Sequence, residues 1–224
     1  MRPRICASIL PEKESETKSL VELTETKPVE LLEIRLDRLG MKSLPNVKTR
    51  LPLVATCRAK KDGGSFRGSE KERIAVLKRA AELGFDYVDM ELEMQEAPTI
   101  SEEIRELGCK LIVSHHVMKV TPPSEAISEI QARELKLNPD ICKIVTYAQS
   151  HEDNLTLLNA IPKMSQRSNV VCFAMGDKGK ISRILSPMFG AHFTIAALDK
   201  ERTTAPGQMT VDELIEAWRI LGLT

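Results

Sequence analysis

The sequence predicts a single-domain (β/α)8 TIM barrel spanning residues 1–224. Short apolar runs rich in β-branched residues recur eight times along the 224-residue chain, and segments of helical character separate most of them. Strands without an alternating polar face, joined by helical crossovers, are typical of a parallel sheet that is covered on both sides. Eight such units can close into a barrel, and the chain is long enough for a compact one.

The predicted strands are short and spread along the whole chain. They span residues 4–9, 31–36, 53–57, 87–91, 110–115, 141–146, 170–174 and 193–198. A doubly wound open sheet is the alternative topology, but its first turn is usually rich in glycine. The glycines within residues 175–180 match neither the dinucleotide fingerprint nor the P-loop spacing.

The predicted helices are marked by residues that begin or end them. They span residues 69–83, 124–137, 151–161 and 210–221. Gly84 is placed to cap the first of these at its C-terminus, and Ser124 to cap the second at its N-terminus. Pro162 and Gly222 are expected to stop the last two helices. The interval 40–50 has room for only a short helix.

Composition and charge exclude several classes of protein. Thirty-two basic and 32 acidic residues give a formal net charge of zero, which argues against a nucleic-acid or lipid-surface partner. No apolar run approaches the roughly 18 residues that a membrane helix needs. The first residues lead directly into a strand-like segment without a signal-peptide core, so we expect a cytoplasmic protein.

The cysteine pattern argues against disulfides and against a metal site. The five cysteines are widely spaced and never form a C-x-x-C pair: Cys6, Cys57, Cys109, Cys142 and Cys172. Small buried thiols in a reducing cytosol are the interpretation that fits them best. The adjacent His115 and His116 would point to opposite faces of a strand and could not easily ligate one ion. We therefore expect no metal.

Lys143 stands in the middle of the predicted strand at 141–146, where an ammonium group is costly unless it is paired. Among aliphatic neighbours, burial would favour the neutral amine. A neutral amine is a nucleophile that can condense with a ketone or an aldehyde. The alternative is a strand-end lysine whose stem lies on the core and whose ammonium group reaches water.

Polar side chains follow seven of the eight predicted strands, at the end where a barrel carries its active site. The strands and their ends contribute Glu33, Arg35, Arg58, Asp89, Glu91, His115, His116 and Lys143, and the last two loops contribute Met175, Arg183, Thr204 and Gln208. A single charged strand end is often only a solvated rim residue. Their collection at one end favours an active site.

These residue types indicate Schiff-base chemistry on an anionic substrate. Lys143 can form an iminium with a carbonyl group, which acidifies the neighbouring C–H, and His116 at the end of the adjacent strand can remove that proton. Arg183 can bind a carboxylate through two parallel hydrogen bonds, and Glu33 can accept hydrogen bonds from hydroxyl groups. The arginines that imply an oxygen-rich anion are Arg35, Arg58 and Arg183.

Six stretches of the chain, taken together and in order, resemble the type I 3-dehydroquinate dehydratases of the shikimate pathway. They are Glu33-Ile-Arg35-Leu-Asp37, Thr56-Cys-Arg58, Ser114-His-His116, Lys143 in its strand, Met175 through Arg183, and Ala205-Pro206-Gly207-Gln208. Each stretch alone is weak, whereas their joint order is specific. The resemblance implies dehydration of 3-dehydroquinate to 3-dehydroshikimate without a metal or a cofactor, by a protein that is usually a homodimer.

The resemblance also implies a role for each site residue. Lys143 would attack the ring ketone, and His116 would remove a C2 proton and then protonate the departing C1 hydroxyl, a syn elimination. The substrate carboxylate would be bound by Arg183 and Gln208. The remaining contacts would be Glu33, Arg35 and Arg58 to the ring hydroxyls, Met175 to the ring, and Thr204 from the closing loop.

Three positions depart from the family pattern. Asp62 stands where the acidic partner of the catalytic histidine is typically a glutamate, and His115 stands where asparagine is common. Thr204 replaces the serine that often precedes Ala-Pro-Gly-Gln. Which of Asp62, Asp89 and Glu91 orients His116 stays open.

Two other functions remain as alternatives. A class I Schiff-base aldolase usually has a glycine-rich phosphate cup after strands seven and eight, where this chain has Ala205-Pro206-Gly207-Gln208. A barrel that only binds a metabolite would be expected to lack Lys143 or His116, and both are present.

Overall fold

Eight parallel strands form the wall of a nearly closed barrel, and each strand ends within one residue of its predicted bounds. The computed structural model describes residues 3–39 and 41–223, so the extreme ends of the predicted domain and the first residue of the 40–50 interval lie outside the described residues. The strands are β1 (Ile5–Ile9), β2 (Leu31–Arg35), β3 (Leu53–Thr56), β4 (Tyr87–Glu91), β5 (Lys110–His116), β6 (Ile141–Tyr147), β7 (Asn169–Met175) and β8 (Thr194–Ala197). The predicted (β/α)8 fold is confirmed.

The strands follow one another around the barrel in the order β7-β6-β5-β4-β3-β2-β1-β8, and every ladder is parallel. The two strands at the ends of this order, β7 and β8, face each other without a ladder. The backbone N–H of His192, just before β8, donates to the carbonyl of Val170 in β7 at 2.7 Å. This bond draws the two ends together at the bottom of the barrel.

Helices cover the outside of the strands. They are α1 (Glu14–Glu25), α2 (Glu70–Glu82), α3 (Ala97–Glu106), α4 (Ser124–Leu135), α5 (Asp153–Ser165), α6 (Lys180–Leu185) and α7 (Val211–Ile220). Between β2 and β3 the described residues contain one short 3-10 turn, Met41–Ser43, as the narrow interval predicts. None of the helices within residues 3–39 and 41–223 combines the length and the apolar character needed to cross a bilayer.

Helix ends agree with the sequence where a side chain can cap the backbone. Ser69 is the N-cap of α2 and Thr210 is the N-cap of α7, and each forms a reciprocal capping box with the glutamate three residues later. Gly84 follows α2 with a φ of +88°, a conformation that glycine adopts without strain.

Two of the predicted helices have different ends in the structure. Ser124 is the first residue of α4 rather than its N-cap, because Pro123 occupies the capping position, and α4 ends at Leu135. The helix predicted at 151–161 runs instead from Asp153 to Ser165, with Pro162 inside it. Pro162 is exposed, whereas Ile161 and Met164 are buried, so α5 loses one backbone hydrogen bond but keeps its contacts with the core.

Alternate strand residues face the barrel interior and form two layers. The lower layer is apolar and includes Cys6, Leu31, Val54, Ile112, Ile141 and Val171. Two residues further along the same strands, the next inward positions are Ser8, Glu33, Thr56, Ser114, Lys143 and Phe173. The polar layer therefore rests on an apolar floor and opens toward the carboxyl ends of the strands. All five cysteines are buried free thiols, as expected.

Candidate active site

Lys143 lies at the centre of the polar layer, on β6. Its side chain is 5% exposed, and the register places Ser114 of β5 and Val171 of β7 beside it. The Nζ atom is 2.7 Å from Asp89 Oδ2 and 3.4 Å from Glu33 Oε1. The expected aliphatic surroundings are wrong: two carboxylates face the amine and stabilise an ammonium group there.

The two carboxylates beside Lys143 are held in their ionised form. Burial opposes ionisation of Asp89, but Arg58 and Lys143 outweigh burial and hold the pKa of Asp89 far below its usual range. Burial likewise opposes ionisation of Glu33, and Lys143 and Arg35 nevertheless lower the pKa of Glu33. The amine therefore lies between two anions at neutral pH.

Arg58 links Asp89 to a second buried carboxylate. Its Nη2 atom is 2.8 Å from Asp89 Oδ1, and its Nη1 atom is 3.0 Å from Glu91 Oε1 and 2.8 Å from Ser114 Oγ. Burial disfavours the guanidinium, yet Asp89 and Glu91 together raise the pKa of Arg58. Arg58 is thus fixed as a cation at the mouth of the barrel.

Arg73, on α2, extends this network to the outer helix. Its guanidinium donates to Glu91 and, at 2.9 Å, to the carbonyl of Cys57, and it forms two bonds to Glu70. Sequence reasoning missed Arg73. The available signal is its place on the buried face of α2, where it aligns with Val76 and Leu77 at helical spacing.

His115 and His116 point to opposite sides of β5, as strand alternation predicts. His115 is partly exposed, and its Nδ1 atom is 3.8 Å from Glu93 Oε1, outside the cavity. His116 lines the same cavity as Lys143. Burial, and then the charges of Arg58 and Lys143, hold the pKa of His116 well below its usual range. Its imidazole is therefore neutral near pH 7 and can accept a proton.

The acidic residue that orients His116 is not identified by a hydrogen bond. Within the described residues, His116 Nδ1 has no hydrogen-bond partner, and neither has Asp62 Oδ2 in the same cavity. Asp89 and Glu91 are engaged with cations. Burial and the neighbouring Glu91 raise the pKa of Asp62. Of the three candidates, Asp62 has the carboxylate oxygen still free to bond.

Arg183 and Gln208 present unpartnered donors to the cavity. Arg183 is 1% exposed, and its guanidinium lies 4.3 Å above the Phe173 ring. Among the described residues, neither Nε nor Nη2 of Arg183 has a partner, nor has Gln208 Nε2. Burial lowers the pKa of Arg183 to about 9. A buried cation without a carboxylate partner calls for an anionic ligand, because an unpaired buried charge is costly.

The loop after β8 lies over the cavity and contacts the end of β7. Thr204, Ala205 and Pro206 line the cavity together with Met175. The Gly176 N–H donates to the Pro206 carbonyl at 3.1 Å. Arg35 is paired in a bidentate manner with Asp37, at 2.8 and 2.5 Å, and its Nη1 atom reaches the Thr204 carbonyl at 3.5 Å.

Several further residues belong to the site and were not selected from the sequence. Thr56 donates to Glu33 at 2.8 Å, and Ser8 donates to the other oxygen of the same carboxylate at 2.5 Å. Met118 lines the cavity. The available signal for Ser8 and Thr56 is strand alternation, because each follows an inward apolar residue by two positions.

Within residues 3–39 and 41–223, no group of three or more histidine, cysteine, aspartate or glutamate side chains is placed to hold a metal ion.

The fold and this arrangement together define a Schiff-base class of (β/α)8 barrel enzyme, with a buried lysine and a neutral histidine facing a cationic pocket. Residues 5–224 match the model of the type I 3-dehydroquinase family. The chain belongs to that family.

Named relatives and solved structures agree with this assignment. A 3-dehydroquinate dehydratase from Dehalococcoides mccartyi is 38% identical and covers 97% of this chain, which spans 95% of that protein. The crystal structure of the Geobacillus kaustophilus 3-dehydroquinate dehydratase superposes with a TM-score of 0.91 at 26% identity, covering 99% of this chain and 92% of that one. The type I enzyme from Clostridium difficile, solved with covalently modified comenic acid, gives 0.89 at 25% identity, covering 98% and 92%.

Proposed function

We propose that this chain dehydrates 3-dehydroquinate to 3-dehydroshikimate through a Schiff base on Lys143. One observation carries the proposal: Lys143 and His116 line a single cavity that also presents the unpartnered donors of Arg183 and Gln208. The family assignment and the names of the relatives support the same reaction.

Imine formation begins with a proton transfer, because the amine is paired with carboxylates. The neutral imidazole of His116 takes a proton from the Lys143 ammonium group, and the free amine adds to the ring ketone. His116 then returns that proton to the carbinolamine hydroxyl, which leaves as water and gives the iminium. Asp89 and Glu33 stabilise the positive charge before and after this exchange.

Elimination follows from the acidity that the iminium confers on C2. His116 removes a C2 proton to give an enamine, and the resulting imidazolium protonates the C1 hydroxyl as it departs as water. One group performs both transfers, so both occur on the same face of the ring. Hydrolysis of the conjugated imine consumes one water, releases the enone and restores the Lys143 ammonium group.

Substrate binding is assigned by charge. Arg183 and Gln208 bind the carboxylate, since their buried donors have no protein partner among the described residues. Glu33, Arg35 and Arg58 face the ring hydroxyls, with Met175 against the ring and Thr204 above it. Asp62 orients His116. Asp89 and Glu91 form ion pairs with the neighbouring cationic side chains.

We further propose that the protein is a cytoplasmic homodimer that binds no nucleic acid. Five free, buried thiols fit a reducing compartment, and the formal net charge of zero provides no overall electrostatic attraction to nucleic acid. The homodimer rests on the family resemblance. Light scattering is expected to give twice the mass of one chain; the mass of a single chain would contradict it.

The reaction is tested by mixing the protein with 3-dehydroquinate in the presence of a metal chelator and following the ultraviolet absorption of the enone. The wild-type protein and a Lys110→Ala control, changed at an exposed lysine on β5, are expected to form the enone at equal rates. Lys143→Ala is expected to form none. The proposal fails if the wild-type protein makes no enone or if Lys143→Ala matches it.

A further inference from the structure

Ser8 connects Glu33 on β2 to the loop after β8 without lining the cavity itself. It lies on β1, fully buried, and it is in register with Glu33 on β2 and with Ala197 at the end of β8. Its Oγ atom is 2.5 Å from Glu33 Oε2 and 3.2 Å from Thr204 Oγ1 in the loop after β8. Ser8 is not among the residues that line the cavity, so any effect it has on the reaction passes through its partners.

The direction of these hydrogen bonds follows from counting protons. The Glu33 carboxylate is ionised and can only accept, so the single hydroxyl proton of Ser8 points to Glu33. The contact between Ser8 and Thr204 therefore depends on the Thr204 hydroxyl proton, for which Gln208 Oε1, 3.1 Å from Thr204 Oγ1, is a second acceptor. Gln208 Oε1 already accepts the shorter hydrogen bond from the Thr204 backbone N–H, at 2.6 Å, which leaves the hydroxyl proton available to Ser8. One ordered chain of donors runs from the loop after β8 to Glu33.

Glu33 carries this chain to the reactive amine. Its Oε1 atom accepts from Thr56 at 2.8 Å and faces Lys143 Nζ at 3.4 Å, while its Oε2 atom is held by Ser8. A carboxylate fixed at both oxygens cannot rotate away from the amine. The loop must lie over the cavity for Thr204 to reach Ser8, so the position of the loop and the orientation of Glu33 are linked.

We infer that Ser8 is a positioning residue: it couples the position of the loop after β8, which carries Thr204, to the orientation of the Glu33 carboxylate beside Lys143. The inference rests on the proposed Schiff-base function. It assigns to β1 a role in setting the rate of imine formation, and it gives the loop hydroxyl a function besides contact with substrate.

A double-mutant cycle tests the coupling. Ser8→Ala, Thr204→Val and the double variant are mixed with 3-dehydroquinate and borohydride, and the rate at which Lys143 is modified is measured under single-turnover conditions. Each single change is expected to slow imine formation about tenfold, the scale of a lost hydrogen bond to a charged group. The double variant is expected to be no slower than the slower single variant, because both changes break the same chain.

Controls separate positioning from general loss of structure. Thr204→Ser keeps the hydroxyl and is expected to restore the wild-type rate. Thr194→Val removes a buried hydroxyl at the start of β8, away from Glu33, that has no hydrogen-bond partner among the described residues, and this change is expected to leave the rate of imine formation unaltered. The loss is expected in kcat, with KM changed less for Ser8→Ala than for Thr204→Val.

A second measurement needs no substrate. Arg202 is exposed just before the loop, and Ser8→Ala is expected to increase trypsin cleavage after Arg202, as is Thr204→Val. Multiplicative effects of the two changes, or unchanged imine formation in Ser8→Ala, would overturn the coupling alone. A wild-type protein that forms no imine on Lys143 would instead overturn the proposed function.

Discussion

At the scale of single residues, the buried cations of the site differ in whether they are paired with carboxylates. Lys143 is balanced by Asp89 and Glu33, whereas Arg183 has no counter-charge among the described residues. The first arrangement stabilises an ammonium group until a base removes its proton, and the second leaves a place for an anion. His116, whose pKa is lowered, lines the same cavity and is the neutral base of the proposed reaction.

Replacement of His116 tests that assignment. In His116→Ala, imine formation is expected to persist at a reduced rate, while turnover falls by about 10²–10⁴-fold, the usual contribution of a general acid–base. His115→Ala is the matched control, because its ring lies outside the cavity, and it is expected to keep near-wild-type turnover. Enone formation and borohydride trapping measure the two steps separately. Equal losses in both variants would contradict the role of His116.

The pH profile offers a check on the same residue. A histidine whose pKa is lowered stays unprotonated as the pH falls through the ordinary titration range of histidine. The acid limb of kcat/KM is therefore expected below about pH 6.5, the value for an unperturbed imidazole. An acid limb centred above that value would show that His116 is charged in the free enzyme.

At the level of secondary-structure elements, the position of the loop after β8 depends on its contact with the end of β7. The loop after β8 is held against the end of β7 where Gly207, with a φ of +68°, packs on the Gly176 carbonyl. A β-carbon at Gly207 would lie 2.2 Å from the Gly176 oxygen, a distance that no side chain can occupy. The loop can therefore lie against the end of β7 only if residue 207 is a glycine.

Gly207→Ala is expected to displace the loop and to raise KM several-fold, with increased tryptic cleavage after Arg202. Gly222→Ala is a suitable control, because Gly222 has the same φ of +68° but open space where its β-carbon would be. It carries the same backbone strain without the steric clash, and steady-state kinetics should match the wild type. Similar KM values in both variants would count against the claim that the Gly207 contact holds the loop in place.

The sequence predicted the strands well because each is a short apolar run bounded by polar residues, and buried parallel strands leave that pattern. It singled out Lys143 because a charged residue in such a run is unusual, and His116 because it ends the strand next to Lys143. It could not identify the partners of Lys143, because Asp89 and Glu33 come from other strands and meet it only through barrel geometry. Arg73 was missed because its partner Glu91 lies on another element, β4, although the helical spacing already places Arg73 on the buried face of α2. The helix end predicted at Pro162 is wrong because burial of Ile161 and Met164 outweighs one lost hydrogen bond.

The stability of the whole barrel is coupled to the protonation of a buried carboxyl group on α4. Glu134 on α4 is fully buried beside Cys142, and within the described residues neither of its oxygens has a hydrogen-bond partner. Burial raises the pKa of Glu134 well above its usual range. The folded protein thus holds a proton that the unfolded chain releases above about pH 4.3, so this group lowers the free energy of unfolding as pH rises.

Glu134→Gln removes that dependence. Relative to the wild type, its free energy of unfolding is expected to increase between pH 5 and pH 8, by at most about 1.4 kcal/mol per pH unit. Glu129→Gln, at an exposed position on the same helix, is expected to show no such trend. Urea unfolding at several pH values measures both. A difference between Glu134→Gln and the wild type that does not change with pH would show that Glu134 is ionised in the fold.

The most direct test of the account is to trap the intermediate. The protein is incubated with 3-dehydroquinate and borohydride, digested, and analysed by mass spectrometry, with Lys143→Ala treated in parallel. The account predicts one substrate-derived adduct per chain on the peptide that contains Lys143, and no adduct in the variant. An adduct on another lysine, or enone formed by a wild-type protein that never yields an adduct, would contradict it.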